Sequence, residues 1–239
     1  MLTQVTHAIW PTRRENDSCP ALCRPTQVRA ERVGRLRVSP VGYHEWHGRP
    51  GYYKDVVRHF TPGSRILDVG CGTAWLSEDF PDYVGLDNFQ STVDSAKAQG
   101  IDVRLADLEH EFPIGDAEFD GVILKDVLEH LLDPVTVVLE VQRVLKPGGR
   151  VFASSPDAQR WAWNDYTHRR PWTRTSMRRL FADQGFEVLR VSYESVMPGS
   201  SIVSGWFKRK RRPRSLVLAA WLPGWRRNVW ILARRAATA

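Results

Sequence analysis

The stretch Ile66-Leu67-Asp68-Val69-Gly70-Cys71-Gly72-Thr73-Ala74 runs from an apolar strand into Gly-x-Gly and straight on into a helical pattern. Glycine at 70 and 72 permits a tight turn and lets backbone amides approach a ligand where a Cβ would collide. Strand-to-helix turns use glycine for other reasons too, so the acids that follow carry the reading further. Nineteen residues after Asp68, Asp87 closes the strand-like VGLD, where a carboxylate accepts both hydroxyls of a ribose. Twenty residues later Asp107 closes RLAD. Helix caps and turns account for any one of these acids. Together they form a row of carboxylates, each at the end of one of three successive strands, along one rim of a sheet.

Working outward, Ser64–Val69, Asp82–Leu86, Ile101–Ala106, Phe119–Leu124 and Arg150–Ala153 are short, rich in Val, Ile and Leu, and bounded by Gly, Asp or Pro. Strands buried on both faces read this way. Helices are expected at Ala74–Phe80, Ser91–Gln99 and Pro134–Leu145, then at Thr173–Gln184, with strands at Glu187–Ser192 and Asn228–Ala233. The alternation predicts an α/β fold: a doubly wound, mostly parallel sheet with helices on both faces and its ligand at the carboxyl ends of the strands. Residues 1–50, with many Arg and with Pro11, Pro20, Pro25 and Pro40, read as a leader or lid. Residues 51–239 read as the main domain, opening with a helical face of Tyr52, Val56, Val57 and Phe60 that Pro62-Gly63 stops.

With 239 residues, 42% hydrophobic and 26% charged, the chain suits a single core and excludes wholesale disorder or a fibrous architecture. No apolar run reaches the ~18 residues of a membrane span and the start lacks a secretory pattern, so a cytoplasmic location is expected. Cys19, Cys23 and Cys71 cannot build a disulfide framework, and the spacing of the first two is not that of a zinc knuckle. The net charge of +7 is concentrated: six cations lie in Lys208–Arg214, and the other 28 face 27 acids. A basic face that tracks a nucleic-acid groove is not evident, so a nucleic-acid partner is disfavoured. The basic run sits in a Trp-rich insertion at about 197–226. The run reads as a solvated loop, or, with Trp206, Phe207 and the apolar stretch up to Trp225, as a peripheral contact of 206–225 with an anionic membrane surface or a lipid-linked substrate.

Asp68 stands two residues before the first glycine. A carboxylate there repels a pyrophosphate and attracts a cationic amino-acid tail or sulfonium, which favours S-adenosylmethionine over a dinucleotide. The pieces LDVGCGT, VGLD, FDGVILKDVLEHLLDP and LKPGGR, in this order over about residues 50–235, resemble the class I S-adenosylmethionine-dependent methyltransferases of the small-molecule branch. That resemblance implies a seven-stranded sheet whose antiparallel last strand lies beside the fifth. It also implies that Asp68, Gly70 and Gly72 surround the methionine part, Asp87 with the adjacent Asn88 holds the ribose, Asp107 and Leu108 meet the adenine, and the Lys125 backbone lines the methyl-donor end. Ala74 replaces a third glycine found in many relatives.

Methyl transfer to a hydroxyl needs the acceptor held in line and its proton removed. His130 in DVLEH and His168 in WNDYTHRRPW lie beyond strand ends and are the candidate bases; packing or capping is the plainer alternative, more so for His130 than for His168. The run Asp165-Tyr166-Thr167-His168-Arg169 resembles methyltransferases of bacterial sugar and polysaccharide modification. Asp126-x-x-Glu129-His130 is similar to the Glu-x-x-Glu-His arrangement of ubiquinone-pathway O-methyltransferases, and it makes Asp126, Glu129 and His130 a candidate Mg²⁺ set or a simple solvated cap. His44 and His47, in a lid-like aromatic stretch with Tyr43, are surface residues or ligands, and Trp161, Trp163 and Trp172 are candidate faces for a sugar ring or core packing.

The expected protein is an O-methyltransferase that forms S-adenosylhomocysteine while methylating a small-molecule or glycan hydroxyl of a sugar, oligosaccharide or lipid-linked glycan. A quinone or phenolic natural product is the alternative acceptor. A methyltransferase-shaped binding protein without activity is the alternative class. Leu124-Lys125-Asp126-Val127 stands where base-methylating enzymes carry an Asn-Pro-Pro-Tyr-like motif, which disfavours amino-group methylation of bases.

Overall fold

The computed structural model describes residues 56–195 and 226–237. Its elements run β1 (Arg65–Val69), β2 (Asp82–Asp87), α1 (Gln90–Ala98), β3 (Val103–Leu105), β4 (Phe119–Lys125), α2 (Pro134–Val144), β5 (Leu145–Pro156), α3 (Arg174–Asp183), β6 (Phe186–Ser195) and β7 (Arg226–Arg235). The strands form one seven-stranded sheet in the order β3-β2-β1-β4-β5-β7-β6. β1 pairs in parallel with β2 and β4, and β4 with β5, whereas β7 runs antiparallel between β5 and β6. The expected mostly parallel sheet with an inserted antiparallel last strand is what forms.

Burial on both faces explains the unbroken apolar runs. Leu67 and Val69 of β1 pack with Val122, Leu124 and the α2 and α3 side chains, while Ile66 joins Phe60, Phe80, Val93, Ile123 and Phe152 on the opposite face. Period-2 alternation of β1 thus feeds two cores rather than one core and water. Helix α2 contributes Val137, Val138, Val141 and Val144, all with no exposed surface, at a spacing that keeps one stripe on the sheet. It starts where Asp133 accepts from the amides of Val135 (3.0 Å) and Thr136 (3.3 Å), with Pro134 in the first turn, where its missing N–H is not needed. Helix α3 starts with a reciprocal cap between Thr173 and Ser176 and buries Met177, Leu180 and Phe181.

Three local expectations are corrected. Between β1 and β2 only a 3₁₀ turn forms, at Trp75–Glu78, instead of a helix from Ala74 to Phe80. Ala74 sits in the left-handed region at φ 55°, which an α-helix cannot continue from, and Pro81 lies close behind. The third strand is three residues long, and the fifth begins at Leu145 rather than Arg150. Its pairing with β4 jumps from Phe119↔Leu145 to Gly121↔Arg150, so the Lys-Pro-Gly-Gly turn is an excursion within that strand.

No helix among the described residues is long and apolar enough to cross a membrane. The leader and lid at 1–50, including Cys19, Cys23, Tyr43, His44 and His47, and also Tyr52, the basic run 208–214 and the aromatic residues Trp206, Phe207 and Trp225 lie outside the described residues.

Candidate active site

The site is built at the carboxyl rim of β1, β2, β4 and β5. The chain leaves β1 through Gly70 at φ 71° and Gly72 at φ 53°, and the Gly70 and Cys71 amides donate to Leu86 O at 2.8 and 3.0 Å. A Cβ on Gly70 would stand 2.5 Å from Val127 Cγ2, so both the backbone angle and the space require glycine. The Gly72 amide donates to Asp87 Oδ2 and the Phe89 amide to Asp87 Oδ1, each at 2.9 Å. Asp87, at the tip of β2, thereby braces the turn after β1. Each carboxylate oxygen can accept more than one hydrogen bond.

Asp68 is 5% exposed and accepts a 2.8 Å hydrogen bond from Tyr83 Oη. Burial pushes its pKa up from 3.8 to about 7; the Asp87 charge adds to the rise, while the Tyr83 hydrogen bond and the Lys125 ammonium oppose it. A buried carboxyl this reluctant to ionise is a ready partner for a cation brought by a ligand. Cys71 lies in the same turn, and burial pushes its thiol far above the usual range, which makes it unreactive.

Asp68, Gly70, Gly72 and Asp87 therefore come together at one end of the sheet. Asn88 is exposed beside Asp87. Asp107 is exposed at the end of β3, accepting from the Glu109 amide at 3.1 Å and pairing with His110 Nδ1 at 3.1 Å. The Leu108 side chain is buried against the glycine turn, its Cδ1 3.7 Å from where a Gly70 Cβ would lie. Lys125, whose backbone alone was expected to matter, also has a buried side chain: Nζ lies 3.4 Å from Ser154 Oγ and 3.8 Å from Asp126 Oδ2. Its charge acts on both Asp68 and Glu129, which links the glycine turn to the residues after β4.

After β4 the chain turns through Asp126 at φ 55°, whose Oδ1 accepts from Ser154 Oγ (3.3 Å) and Asn228 Nδ2 (3.2 Å). Glu129 is 1% exposed; its carbonyl accepts from the amides of Arg169 (2.7 Å) and Arg170 (3.2 Å), which ties the loop after β5 to the turn after β4. Burial, reinforced by the Asp126 charge, holds the Glu129 carboxyl well above the ordinary carboxylate range. Ser155 leans toward it and lowers that pKa, yet neither Glu129 Oε2 nor Ser155 Oγ has a hydrogen-bond partner of ordinary geometry.

The two candidate bases, distant in sequence, are brought into edge-to-face contact with ring centroids 4.9 Å apart. His168 Nδ1 lies 2.6 Å from the Ala162 carbonyl, which can only accept, so Nδ1 carries the proton and Nε2 the lone pair. His130 Nδ1 lies 3.3 Å from Thr167 O and 3.1 Å from Thr167 Oγ1. The Thr167 hydroxyl proton is directed to Asp165 Oδ1 at 2.6 Å, so His130 Nδ1 is again the donor and Nε2 the acceptor. Burial, with repulsion from His168, lowers the His130 pKa to about 4.

Among the described residues, the groups whose ligand atoms lie within 4.8 Å of one another are Glu129, His130 and His168. His168 thus takes the place that sequence spacing gave to Asp126, whose carboxylate is turned to Ser154, Asn228 and Lys125. Two imidazoles with one carboxylate do not suit Mg²⁺, which prefers oxygen ligands. Trp172 is likewise not a ligand face: it is 1% exposed, with the Arg170 guanidinium 4.7 Å from its ring. Trp163 and Tyr166, on the loop that carries His168, are exposed, and Trp161 is half-buried. Sequence reasoning missed Tyr83, Thr167 and Asn228; the Ser154-Ser155 pair inside an otherwise apolar strand was a visible signal for a polar site at the end of β5.

A family model described as "Methyltransferase domain" matches residues 67–153. An uncharacterized methyltransferase of Schizosaccharomyces pombe is 32% identical over 133 residues, covering 48% of each chain. The ubiquinone biosynthesis O-methyltransferase of Dechloromonas aromatica is 35% identical over 103 residues, covering 39% of this chain and 44% of its own length. The chain thus spans about half the length of these curated relatives, or less. The structure of an S-adenosylmethionine-dependent methyltransferase from Archaeoglobus fulgidus superposes with a TM-score of 0.63 at 16% identity, covering 81% of this chain and 98% of that one. Residues 67–153, which hold the glycine turn, Asp87 and the Glu129-His130 turn, thus match a methyltransferase-domain model, and the sheet that carries them shares its fold with that solved structure.

Proposed function

We propose that this protein is an S-adenosylmethionine-dependent O-methyltransferase whose acceptor hydroxyl belongs to a sugar, oligosaccharide or lipid-linked glycan. The observation that carries the reading is the buried Asp68–Asp87 pair closing on the Gly70–Gly72 turn, coupled through Lys125 to Glu129, which lies beside the imidazole pair. When bound, the cofactor supplies a methyl group on a cationic sulfur and leaves as S-adenosylhomocysteine. Asp68 offers its charge to the cationic amino-acid end, and Asp87 offers lone pairs to the ribose from a position already braced by two amides. Asn88, Asp107 and Leu108 form the adjoining rim, and the Lys125 backbone borders the transfer region. His168 Nε2, held in acceptor form by the Ala162 carbonyl, takes the hydroxyl proton as the acceptor oxygen bonds to carbon; His130 is the alternative base.

Exposed Trp163 and Tyr166 support a sugar acceptor, because flat aromatic faces stack on pyranose rings. A second reading, a quinone or phenolic acceptor, is favoured by the ubiquinone O-methyltransferase relatives. Incubation of the full chain with labelled methyl donor and panels of sugars, glycolipids and phenols separates the two. Label in a glycan supports the first reading, label in a phenol the second, and donor binding without transfer to any acceptor points to a binding protein. Within this test, His168→Ala should lower turnover roughly 10²–10⁴-fold with donor affinity unchanged. Full turnover in that variant would remove His168 as the base.

A further inference from the structure

We infer that Glu129, His130 and His168 form a three-ligand site for a first-row divalent transition ion of the Zn²⁺, Co²⁺ or Fe²⁺ class. The three residues reach one point from two loops, and their ligand atoms already lie within 4.8 Å of one another. Each imidazole is held as a metal-ligating histidine is usually held, with Nδ1–H donated to a backbone carbonyl, and His168 Nε2 lies 3.7 Å from Asp165 Oδ2, a carboxylate beside the site. The carbonyls are supplied by Ala162 and Thr167, on the loop between β5 and α3, and Asp165 orients Thr167 in turn through the 2.6 Å hydroxyl bond. Glu129 adds the independent observation: its Oε2 is fully buried and has no hydrogen-bond partner of ordinary geometry. A buried carboxyl oxygen left without a partner is costly, and a cation held between it and two imidazoles removes that cost.

Ligand chemistry selects the ion. Two imidazole nitrogens and one carboxylate oxygen suit zinc, cobalt or ferrous iron, whereas Mg²⁺ wants oxygen ligands and near-ideal octahedral geometry. Zinc bonds of about 2.0–2.1 Å would require the three atoms to draw in by about an ångström, which leaves a fourth position for water or an acceptor oxygen. Such an ion uses the same His168 lone pair that a metal-free base would use, so the two roles exclude one another at any moment. Ion binding does not depend on the proposed function; only its consequence for the acceptor does.

Metal-stripped full-length protein is titrated by calorimetry with Zn²⁺, Co²⁺ and Mg²⁺ in turn, and the visible absorption of the Co²⁺ form is recorded. The expected result is binding of Zn²⁺ and Co²⁺, at least roughly 100-fold weaker Mg²⁺ binding, and a cobalt band of low-coordinate type. Glu129→Gln and, independently, His168→Asn should each abolish that band and weaken Zn²⁺ binding roughly 100-fold or more, with S-adenosylmethionine affinity unchanged. No Zn²⁺ or Co²⁺ binding, a preference for Mg²⁺, or binding that survives in whichever of the two site variants folds would overturn the inference. Loss of methyl transfer with ion binding retained would instead count against the proposed function.

Discussion

Raising the pH of the ligand-free protein from about 4 to about 8 should destabilise it through Asp68, and the size of the effect follows from its burial. The folded carboxyl titrates at about 7 against 3.8 in its ordinary state. Between those values the folded chain holds a proton that the unfolded chain has lost, so stability falls with rising pH across this window and is insensitive to this group below it. The gap of about three pH units, at about 1.36 kcal/mol each, sets an upper bound of roughly 4 kcal/mol. Asp68→Asn keeps an acceptor for Tyr83 Oη and cannot ionise, so it should be close to the parent below about pH 4 and increasingly more stable than it up to about pH 8. Glu129, whose carboxyl is also pushed up by burial, contributes a slope of the same sign, which the comparison of parent and variant cancels. Urea unfolding of both proteins across the range reads the difference. Parallel pH profiles would refute the assignment of Asp68 as a buried, reluctant anion.

Other substitutions probe the remaining parts of the site. Asp87→Ala removes the acceptor of two backbone amides and of the ribose; donor affinity should fall roughly 10–100-fold, from the ~1.5–3 kcal/mol of a hydrogen bond to a charged group, as read by calorimetry on a variant that still unfolds cooperatively. Gly70→Ala sets a Cβ 2.5 Å from Val127 Cγ2 at a positive φ, so thermal unfolding should show a loss of roughly 1–3 kcal/mol together with weakened donor binding; a neutral result would mean the turn is looser than described.

The sheet was legible because burial on both faces writes itself as unbroken apolar runs, and because Gly70, Gly72, Asp87 and Asp107 punctuate the strand ends at chain distances set by a strand-helix crossover. Ala74 defeated the helix expectation because nothing in its side chain announces a left-handed backbone. His130 and His168 were each visible as candidates, but their contact depends on the Glu129 carbonyl catching the Arg169 and Arg170 amides, a backbone event without a side-chain signature. Trp172 resembled its exposed neighbour Trp163 in sequence and differs from it only through the packing of α3 and the sheet. Lys125 followed an apolar strand, and its buried ammonium became apparent only once Ser154 and Asp126 were placed beside it.

The central claim is tested most directly by titrating S-adenosylmethionine, S-adenosylhomocysteine and NAD into the purified full-length chain in a calorimeter. Saturable one-site binding is expected for the first two and none for the dinucleotide. Silence toward both adenosyl compounds, or saturable uptake of NAD at the Gly70–Gly72 turn, would contradict it.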